Sequence, residues 1–403
     1  MESIKSTQLD YIKDELTEFE KTEILDYRYI YYVGDINVKF NKHINYNIYL
    51  NNCNIFGNND RFVIRINDHI RYRYKILDSL GKGAYGDVIK VKDYKYNKIR
   101  AIKLFNNPNY YTKEQNDKLF LKELEILEIL YKRFNKKKNE ELFTLFYNEH
   151  EFRNFNFITF KLYDGNLHKE RRKIYESSIN NKLVIIKDIL NALIFLTGDS
   201  PKIIHGDVKP ENILFKSKDS FHIVLGDFGL STILKNESKS YKKLIQTRWY
   251  RSPEIIYKLP FNEKIDIWSF GCILYEIIAN RPLFKSYSDK DQIVYIHYII
   301  GIPTREFINS HENIKLFYNY KYKPINMRNE KDSLLIPGYG CYLLDRYFEF
   351  SELSELCDDE DHPEIKNEGP INYNLTKLIY KCLDYDEKTR ISAEKALDIV
   401  KQL

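Results

Sequence analysis

The chain is 403 residues long, more than one average domain, which leaves room for two lobes and some additional N-terminal sequence. Apolar residues make up 43%, aromatics 15% and charged residues 30%, a balance that excludes a disordered chain. The net charge of +5 comes from 63 basic and 58 acidic side chains that are intermixed, which also excludes the concentrated basic face of a nucleic-acid binder.

Met1 to Asp10 carries no apolar leader core, and no stretch approaches the roughly 18–20 apolar residues that span a bilayer. An intracellular protein, cytoplasmic or nuclear or both, with no membrane partner is therefore expected. Cys53, Cys272, Cys341, Cys357 and Cys382 show no Cys-x-x-Cys pair and no metal-like spacing to histidine, so they read as reduced, mostly buried thiols. From Tyr74 to Phe105 two apolar strands flank a glycine-bearing turn and a third strand, Ile99 to Phe105, follows; this predicts antiparallel sheet. Lys118 to Tyr131 spaces Leu121, Leu124, Leu127 and Ile129/Leu130 as a helix with Glu123 and Glu125 interleaved, and Phe155 to Leu162 reads as another strand. Helical periodicity then runs through Leu183–Leu196, Ile265–Ile278, Gln292–Ile300 and Leu375–Leu383. Strands first and helices second predict an α+β bilobal fold. Lys132, Arg133, Lys136, Lys137 and Lys138 read as a solvated loop, and Asp358 to Asp361 as an exposed acidic insert.

Three groups of residues carry chemistry. Gly81, Gly83 and Gly86, followed by Val88, supply a hairpin whose backbone N–H groups approach phosphates closely; the strand that follows argues against a dinucleotide turn, which needs a helix there. Alternation turns Ala101 and Lys103 to one face of the third strand, where Glu123 is the preferred carboxylate partner of Lys103 over Glu125. The block His205-Gly-Asp207-Val-Lys209-Pro-Glu-Asn212-Ile-Leu214, then Leu225-Gly-Asp227-Phe228-Gly229, offers a base in Asp207, a phosphate-steadying cation in Lys209 and hard oxygen ligands for magnesium in Asn212 and Asp227.

These residues resemble the protein kinase superfamily from Tyr74 to Leu397, with Ser252-Pro-Glu254, Arg390 and Asp266 in matching places. Ile245-Gln-Thr-Arg248-Trp-Tyr-Arg251 and Asp291-Gln-Ile to Gly301-Ile-Pro303 resemble the CMGC group of cyclin-dependent, MAP, splicing-factor and DYRK-type kinases. Asn67 to Tyr74, Leu16 to Ile24 and Ile30 to Gly34 resemble class II of the dual-specificity tyrosine-regulated (DYRK) family. The resemblance implies a bilobal kinase fold, with a small antiparallel β N-lobe carrying one main helix and a larger α-helical C-lobe. It divides the chain into an accessory segment over 1–73 packing on the N-lobe, an N-lobe and hinge over 74–163, and a C-lobe over 164–403.

It further implies an ATP- and Mg2+-dependent transferase that phosphorylates Ser/Thr on protein substrates, proline- or arginine-directed, with dual specificity open to it through autophosphorylation of its own tyrosine, as a monomer without nucleic acid. Leu80, Gly81, Gly83, Gly86, Val88, Ala101, Lys103, Phe160, Lys161, Tyr163 and Leu214 would line the ATP site. Asp207, Lys209, Lys103 and Glu123 would be catalytic, and Asn212 and Asp227 would hold the metal. Two departures stand out: Gly206 replaces an arginine common in kinases, and Tyr241-Lys-Lys-Leu244 replaces the family's Tyr-x-Tyr pair, leaving Tyr241 one place away. A scaffold that binds partners without turnover is the rival reading, opposed by the presence of all six catalytic and metal positions. A small-molecule or lipid kinase is a third, opposed by the Ser-Pro-Glu segment and Gly301-Ile-Pro303.

Overall fold

The computed structural model describes residues 4–39, 61–83, 86–106, 113–137, 141–234, 245–322, 325 and 369–403. The chain divides into two compact units, residues 1–137 with 144–162 and residues 138–143 with 163–403.

In the first unit, β1 (Ile4–Lys5) pairs antiparallel with β2 (Tyr29–Ile30). Helix α1 (Glu18–Glu23) lies between them in sequence and opens on a reciprocal cap: Thr17 Oγ1 accepts the Glu20 N–H at 3.2 Å, and the Glu20 carboxylate accepts the Thr17 N–H at 3.0 Å. A six-stranded sheet follows, built from β3 (His69–Ile70), β4 (Tyr74–Lys82), β5 (Gly86–Asp93), β6 (Lys98–Phe105), β7 (Phe146–Phe152) and β8 (Phe155–Lys161) in the order β3-β4-β5-β6-β8-β7. Helix α2 (Lys113–Lys137), rich in Leu, Glu and Lys, connects β6 to β7.

The pleat sorts the strand residues into two faces. Val88, Lys103 and Ile158 lie opposite one another on one face, and Ala101 faces Phe160 on the same side. Ile89, Val91, Ile102, Leu104 and Phe157 alternate to the other face, where they form a core with Phe19, Phe62 and Ile70 from the N-terminal segment. That segment is therefore part of the unit's core, and burial of its apolar side chains at about 25 cal/mol per Å2 binds it there. Ile12, Leu16, Ile24, Ile30, Val33 and Tyr72 make a second apolar cluster.

The second unit contains α3 (Arg171–Glu176), α4 (Ile179–Thr197), β9 (Ile203–Ile204), β10 (Ile213–Phe215), β11 (Ile223–Leu225) and β12 (Thr232–Ile233). After them come α5 (Pro253–Ile256), α6 (Lys264–Ala279), α7 (Asp289–Ile300), α8 (Arg305–Asn309), α9 (Glu312–Lys315), α10 (Gly369–Cys382) and α11 (Ala393–Lys401). Helix α6 is buried along nearly its whole length, including Trp268, as its nearly all-round apolar sequence requires. Strand pairs β10–β11 and β9–β12 hold the loops that carry the polar motifs.

Two expectations need correction. On α2 the buried stripe is Phe120, Glu123, Ile126, Leu127 and Leu130, whereas Leu121 is exposed, because the helix is rotated to bring Glu123 inward. The basic run from Lys132 to Lys137 is no loop: the helix continues to Lys137, Arg133 is buried, and Lys132 lies 3.9 Å from Glu128 one turn back, whereas Lys138 lies outside the described residues. Strand β7 was not anticipated. Cys272 and Cys382 are buried free thiols, whereas Cys53, Cys341, Cys357, Tyr241, Lys242, Lys243 and Asp358–Asp361 lie outside the described residues. Among the described residues, no helix is long and apolar enough to cross a membrane.

Candidate active site

The first unit contributes the glycine hairpin and its lysine. The Gly83 N–H donates to the Gly86 carbonyl at 2.9 Å, closing the turn between β4 and β5. Gly86 is required by packing, since a Cβ there would sit 2.3 Å from the Leu104 carbonyl oxygen. Leu80 is the extra residue of a bulge in β4, between the pairs Ser79–Ile89 and Gly81–Val88. Beside Val88 on the sheet, Lys103 donates to both oxygens of Glu123, at 2.8 and 2.7 Å. Both groups are buried, so each makes the other's charge tolerable. Glu125 is exposed. Phe160 and Lys161 close the same sheet, whereas Tyr163 belongs to the second unit, where its hydroxyl donates to Glu141 at 2.5 Å.

The second unit carries the remaining groups on the loop from His205 to Asn212 and on the β10–β11 hairpin that follows it. Asp266, buried on α6, accepts the N–H groups of His205 and Gly206 at 2.7 and 2.9 Å. Burial pushes its carboxyl up to about 7, against the lowering effect of those two N–H groups. His205 is fully buried; its Nδ1 accepts the Asp207 N–H at 3.2 Å and its Nε2 faces the Gly226 carbonyl at 3.1 Å. That assigns a neutral imidazole with the proton on Nε2, consistent with burial lowering its pKa. Gly206 has φ of +73°, and a Cβ would meet the Leu230 carbonyl oxygen at 3.1 Å. The departure from arginine thus has a local cause, and the loop is anchored instead by Asp266 and by the Gln246 N–H, which donates to the Gly206 carbonyl at 2.8 Å.

Asp207 is buried and its two oxygens are held by different partners. Oδ1 accepts the N–H and the hydroxyl of Thr247 at 2.9 and 2.7 Å. Oδ2 lies 2.7 Å from Lys209 Nζ, which also donates to Thr247 Oγ1 at 3.0 Å. Burial works to lower the Lys209 pKa, but the charge and hydrogen bond of Asp207 outweigh it and the net shift is upward, so the ammonium is retained. Asn212 Nδ2 donates to the Asp207 carbonyl at 2.9 Å. The β10–β11 ladder then sets Ile213 opposite Leu225, and the Gly226 N–H donates to the Asn212 carbonyl at 2.8 Å, which brings Asp227 next to Asn212. Asp227 is exposed, with φ of +63°, between buried Gly226 and buried Phe228. A carboxylate and an amide oxygen held by one hairpin suit a hard divalent cation. Leu214 lies on the same hairpin.

Sequence reasoning had assigned no role to Thr247, Gln246 or Asp289. Gln246 is buried with φ of +67°; its amide nitrogen donates to the Ile265 carbonyl and Ser269, and its amide oxygen accepts from Ser252. Its main-chain carbonyl accepts from Arg251 Nη2 at 2.8 Å. Arg251 in turn meets Asp289 at 2.5 Å, and Arg248 reaches the same carboxylate at 3.3 Å. Glu254 and Arg390 form a buried two-pronged pair at 2.6 and 3.0 Å. The signal for Thr247 was present in the sequence: a hydroxyl beside the Arg-rich stretch with no other assigned work.

A family profile described as "Protein kinase domain" matches residues 74–400. The probable serine/threonine-protein kinase dyrk2 of Dictyostelium discoideum is 33% identical over 391 residues, covering 96% of this chain and 38% of that protein. The serine/threonine-protein kinase ppk5 of Schizosaccharomyces pombe is 32% identical, covering 95% of this chain and 42% of its own length. The human dual specificity tyrosine-phosphorylation-regulated kinase 4 is 32% identical, covering 82% of this chain and 61% of that protein. The chain thus spans between 38% and 61% of the length of these three relatives. Protein kinase domains in general take ATP and a divalent metal and act on proteins. With an α+β fold, a glycine hairpin over a lysine–glutamate pair and the Asp207 loop in place, the chain belongs to the protein kinase family and is similar to its dual-specificity tyrosine-phosphorylation-regulated members.

Proposed function

We propose that the chain is a magnesium- and ATP-dependent protein kinase that phosphorylates Ser or Thr. The observation that carries this is Asp207, whose Oδ1 is fixed by Thr247 and whose Oδ2 is paired with Lys209 at 2.7 Å. In the proposed reaction Asp207 accepts the proton of the substrate hydroxyl, and Lys209 steadies the γ-phosphoryl group as it moves from ATP to that oxygen. Lys103, oriented by Glu123, holds the α and β phosphates, and the N–H groups of the glycine hairpin cover them. Asn212 and Asp227 would hold magnesium, which when bound neutralises charge on the phosphates. Leu80, Val88, Ala101, Phe160, Lys161, Tyr163 and Leu214 would receive the adenine.

The Gln246 carbonyl supports a proline-directed reading. Arg251 already occupies it, so a substrate residue whose N–H sought that oxygen would lose a hydrogen bond, whereas proline has no N–H to lose. The scaffold reading has no observation in its favour, because the Lys103–Glu123 pair and the Asp207 loop are both formed.

The test is transfer of labelled phosphate from Mg-ATP to a generic basic protein and to the chain itself, for wild type and Asp207→Asn, followed by identification of the modified residues. Transfer by wild type and a loss of roughly three orders of magnitude or more in the variant are expected. Equal transfer by both proteins would remove Asp207 from the base role.

A further inference from the structure

Arg61 lies outside the region matched by the kinase profile, yet its guanidinium reaches the glycine hairpin. Nη1 lies 2.6 Å from Asp87 Oδ1, and Nη2 donates to the Gly83 carbonyl at 2.9 Å. Gly83 closes the turn and Asp87 follows Gly86 directly, so one side chain grips both sides of the tip. Strand alternation explains the direction of the grip. Val88 pairs with Lys103 on the face assigned to the nucleotide, so Asp87 points to the opposite face, beside Ile89 and the Phe62 core. Arg61 therefore holds the hairpin from behind and leaves its front clear.

The charges argue that the contact is specific. Asp87 is 4% exposed, and a carboxylate that far from water needs a cation or several donors. Arg61 supplies charge to the carboxylate and a second N–H to the turn, which the planar guanidinium can do and a lysine cannot do with the same geometry. Phe62, the next residue, is buried in the sheet's core and so anchors the main chain from which Arg61 reaches the hairpin.

We propose that Arg61 is a positioning residue for the phosphate-covering turn, so that the segment before the kinase domain sets how tightly the enzyme grips the phosphates of ATP. This rests on the reading of Gly81–Gly86 as that turn. The effect falls on the phosphates and spares the adenine, since Asp87 lies on the face opposite Val88 and Ala101 and Gly83 lies at the turn end of β4.

The full chain, with Arg61→Gln, Arg61→Lys, Asp87→Asn and the Arg61→Gln/Asp87→Asn pair, would be compared for KM(ATP), KM(peptide) and the Kd values of Mg-ATP and adenosine, with Lys103→Met as a control. Arg61→Gln should raise KM(ATP) and Kd for Mg-ATP by about 5- to 20-fold, the scale of one or two charge-assisted hydrogen bonds, while the adenosine Kd and KM(peptide) stay within about twofold. Arg61→Lys should recover part of the loss, and the double variant should be no worse than the more affected single one. Unchanged Mg-ATP affinity in Arg61→Gln, equal loss for Mg-ATP and adenosine, or additive single effects would overturn the proposal. If Lys103→Met also leaves Mg-ATP binding unchanged, the assignment of the nucleotide site itself fails, and the role of Arg61 fails with it.

Discussion

Thr247 shows how much of the proposed chemistry depends on a single hydroxyl. It donates to Asp207 Oδ1 at 2.7 Å and accepts from Lys209 at 3.0 Å, so it couples the proposed base to the proposed phosphate-steadying cation. Without it, Asp207 would keep Lys209 and the Thr247 N–H, but Oδ1 would be held by one Thr247 donor where it now has two. A hydrogen bond to a charged group is worth about 1.5–3 kcal/mol, or roughly 10- to 150-fold in rate if it acts only in the transition state. Thr247→Val should therefore lower kcat by about that factor with KM(ATP) little changed, and Thr247→Ser should restore most of it. Steady-state kinetics at saturating ATP would check this, and a loss seen only in KM(ATP) would refute it. A clash-free left-handed site explains Gly206 at the same scale: its departure from the common arginine is a backbone requirement, with Asp266 and Gln246 supplying the anchors.

At the scale of elements, α1 is locked to the sheet through one carboxylate. Glu20 Oε2 accepts from Lys39 at 2.7 Å and from its own helix cap, while Oε1 meets His69 Nε2 at 2.8 Å and Arg153 at 3.2 Å. With Asp68 nearby, Glu20 and His69 resemble a cation site. However, both His69 nitrogens are engaged, Nδ1 by the Tyr72 N–H at 3.2 Å, and Lys39 and Arg153 already supply the positive charge. Burial alone would raise the Glu20 pKa; the His69 hydrogen bond and the charges of Lys39 and Arg153 outweigh it and hold the carboxyl well below the usual carboxylate range. A carboxylate with a depressed folded-state pKa stabilises fully above its ordinary value near 4.5 and loses that contribution as pH falls below it. Glu20→Gln, which strips the charge but keeps the size, should destabilise the first unit by about 3–5 kcal/mol at neutral pH. It should also expose the segment around α1 to protease and flatten the loss of stability below about pH 4.5. Denaturant melts of wild type and variant across that pH range would show both effects; parallel curves would remove Glu20 from the role of lock.

The same elements show what was legible beforehand. The three hairpin strands, α4, α6 and α7 announced themselves by period, because each has one dominant buried face or is buried all round. Strand β7, Phe-Tyr-Asn-Glu-His-Glu-Phe, did not, since an edge strand exposes most of its side chains and its polar residues mask the alternation. Leu121 and Phe120 differ by one position on α2, and only packing decides which faces inward. The Asp207 and Asp227 motifs were readable because their chemistry demands residue types at close spacing. Arg61–Asp87, Glu20–Arg153 and Arg251–Asp289 were not, because they join residues 26, 133 and 38 positions apart and nothing local marks them.

At the scale of the whole molecule, acid stability tests whether the second unit holds His205 and His297 neutral. His297 is fully buried on α7; its Nε2 faces the Tyr318 hydroxyl at 2.7 Å, that hydroxyl contacts Tyr257 at 2.7 Å, and Nδ1 has no hydrogen-bond partner among the described residues. Burial among these tyrosines lowers the imidazole pKa from 6.5 to about 3. Between those values the unfolded chain binds a proton that the folded protein does not, so stability falls as pH drops through the window, at up to about 1.4 kcal/mol per pH unit. His205, lowered by burial in the same direction, adds to the slope. Asp266 opposes it: a carboxyl raised to about 7 from 3.8 is protonated in the folded state where the unfolded chain is ionised, so its contribution grows on acidification. The net slope of wild type mixes these terms, but comparison with His297→Gln isolates one of them. The variant should lose close to one proton of pH dependence between about pH 6.5 and pH 4, read from urea melts at each pH, whatever its stability at neutral pH. An unchanged slope would mean that His297 takes up a proton in the folded protein, against the cost of charging a fully buried ring beside the Tyr318 hydroxyl.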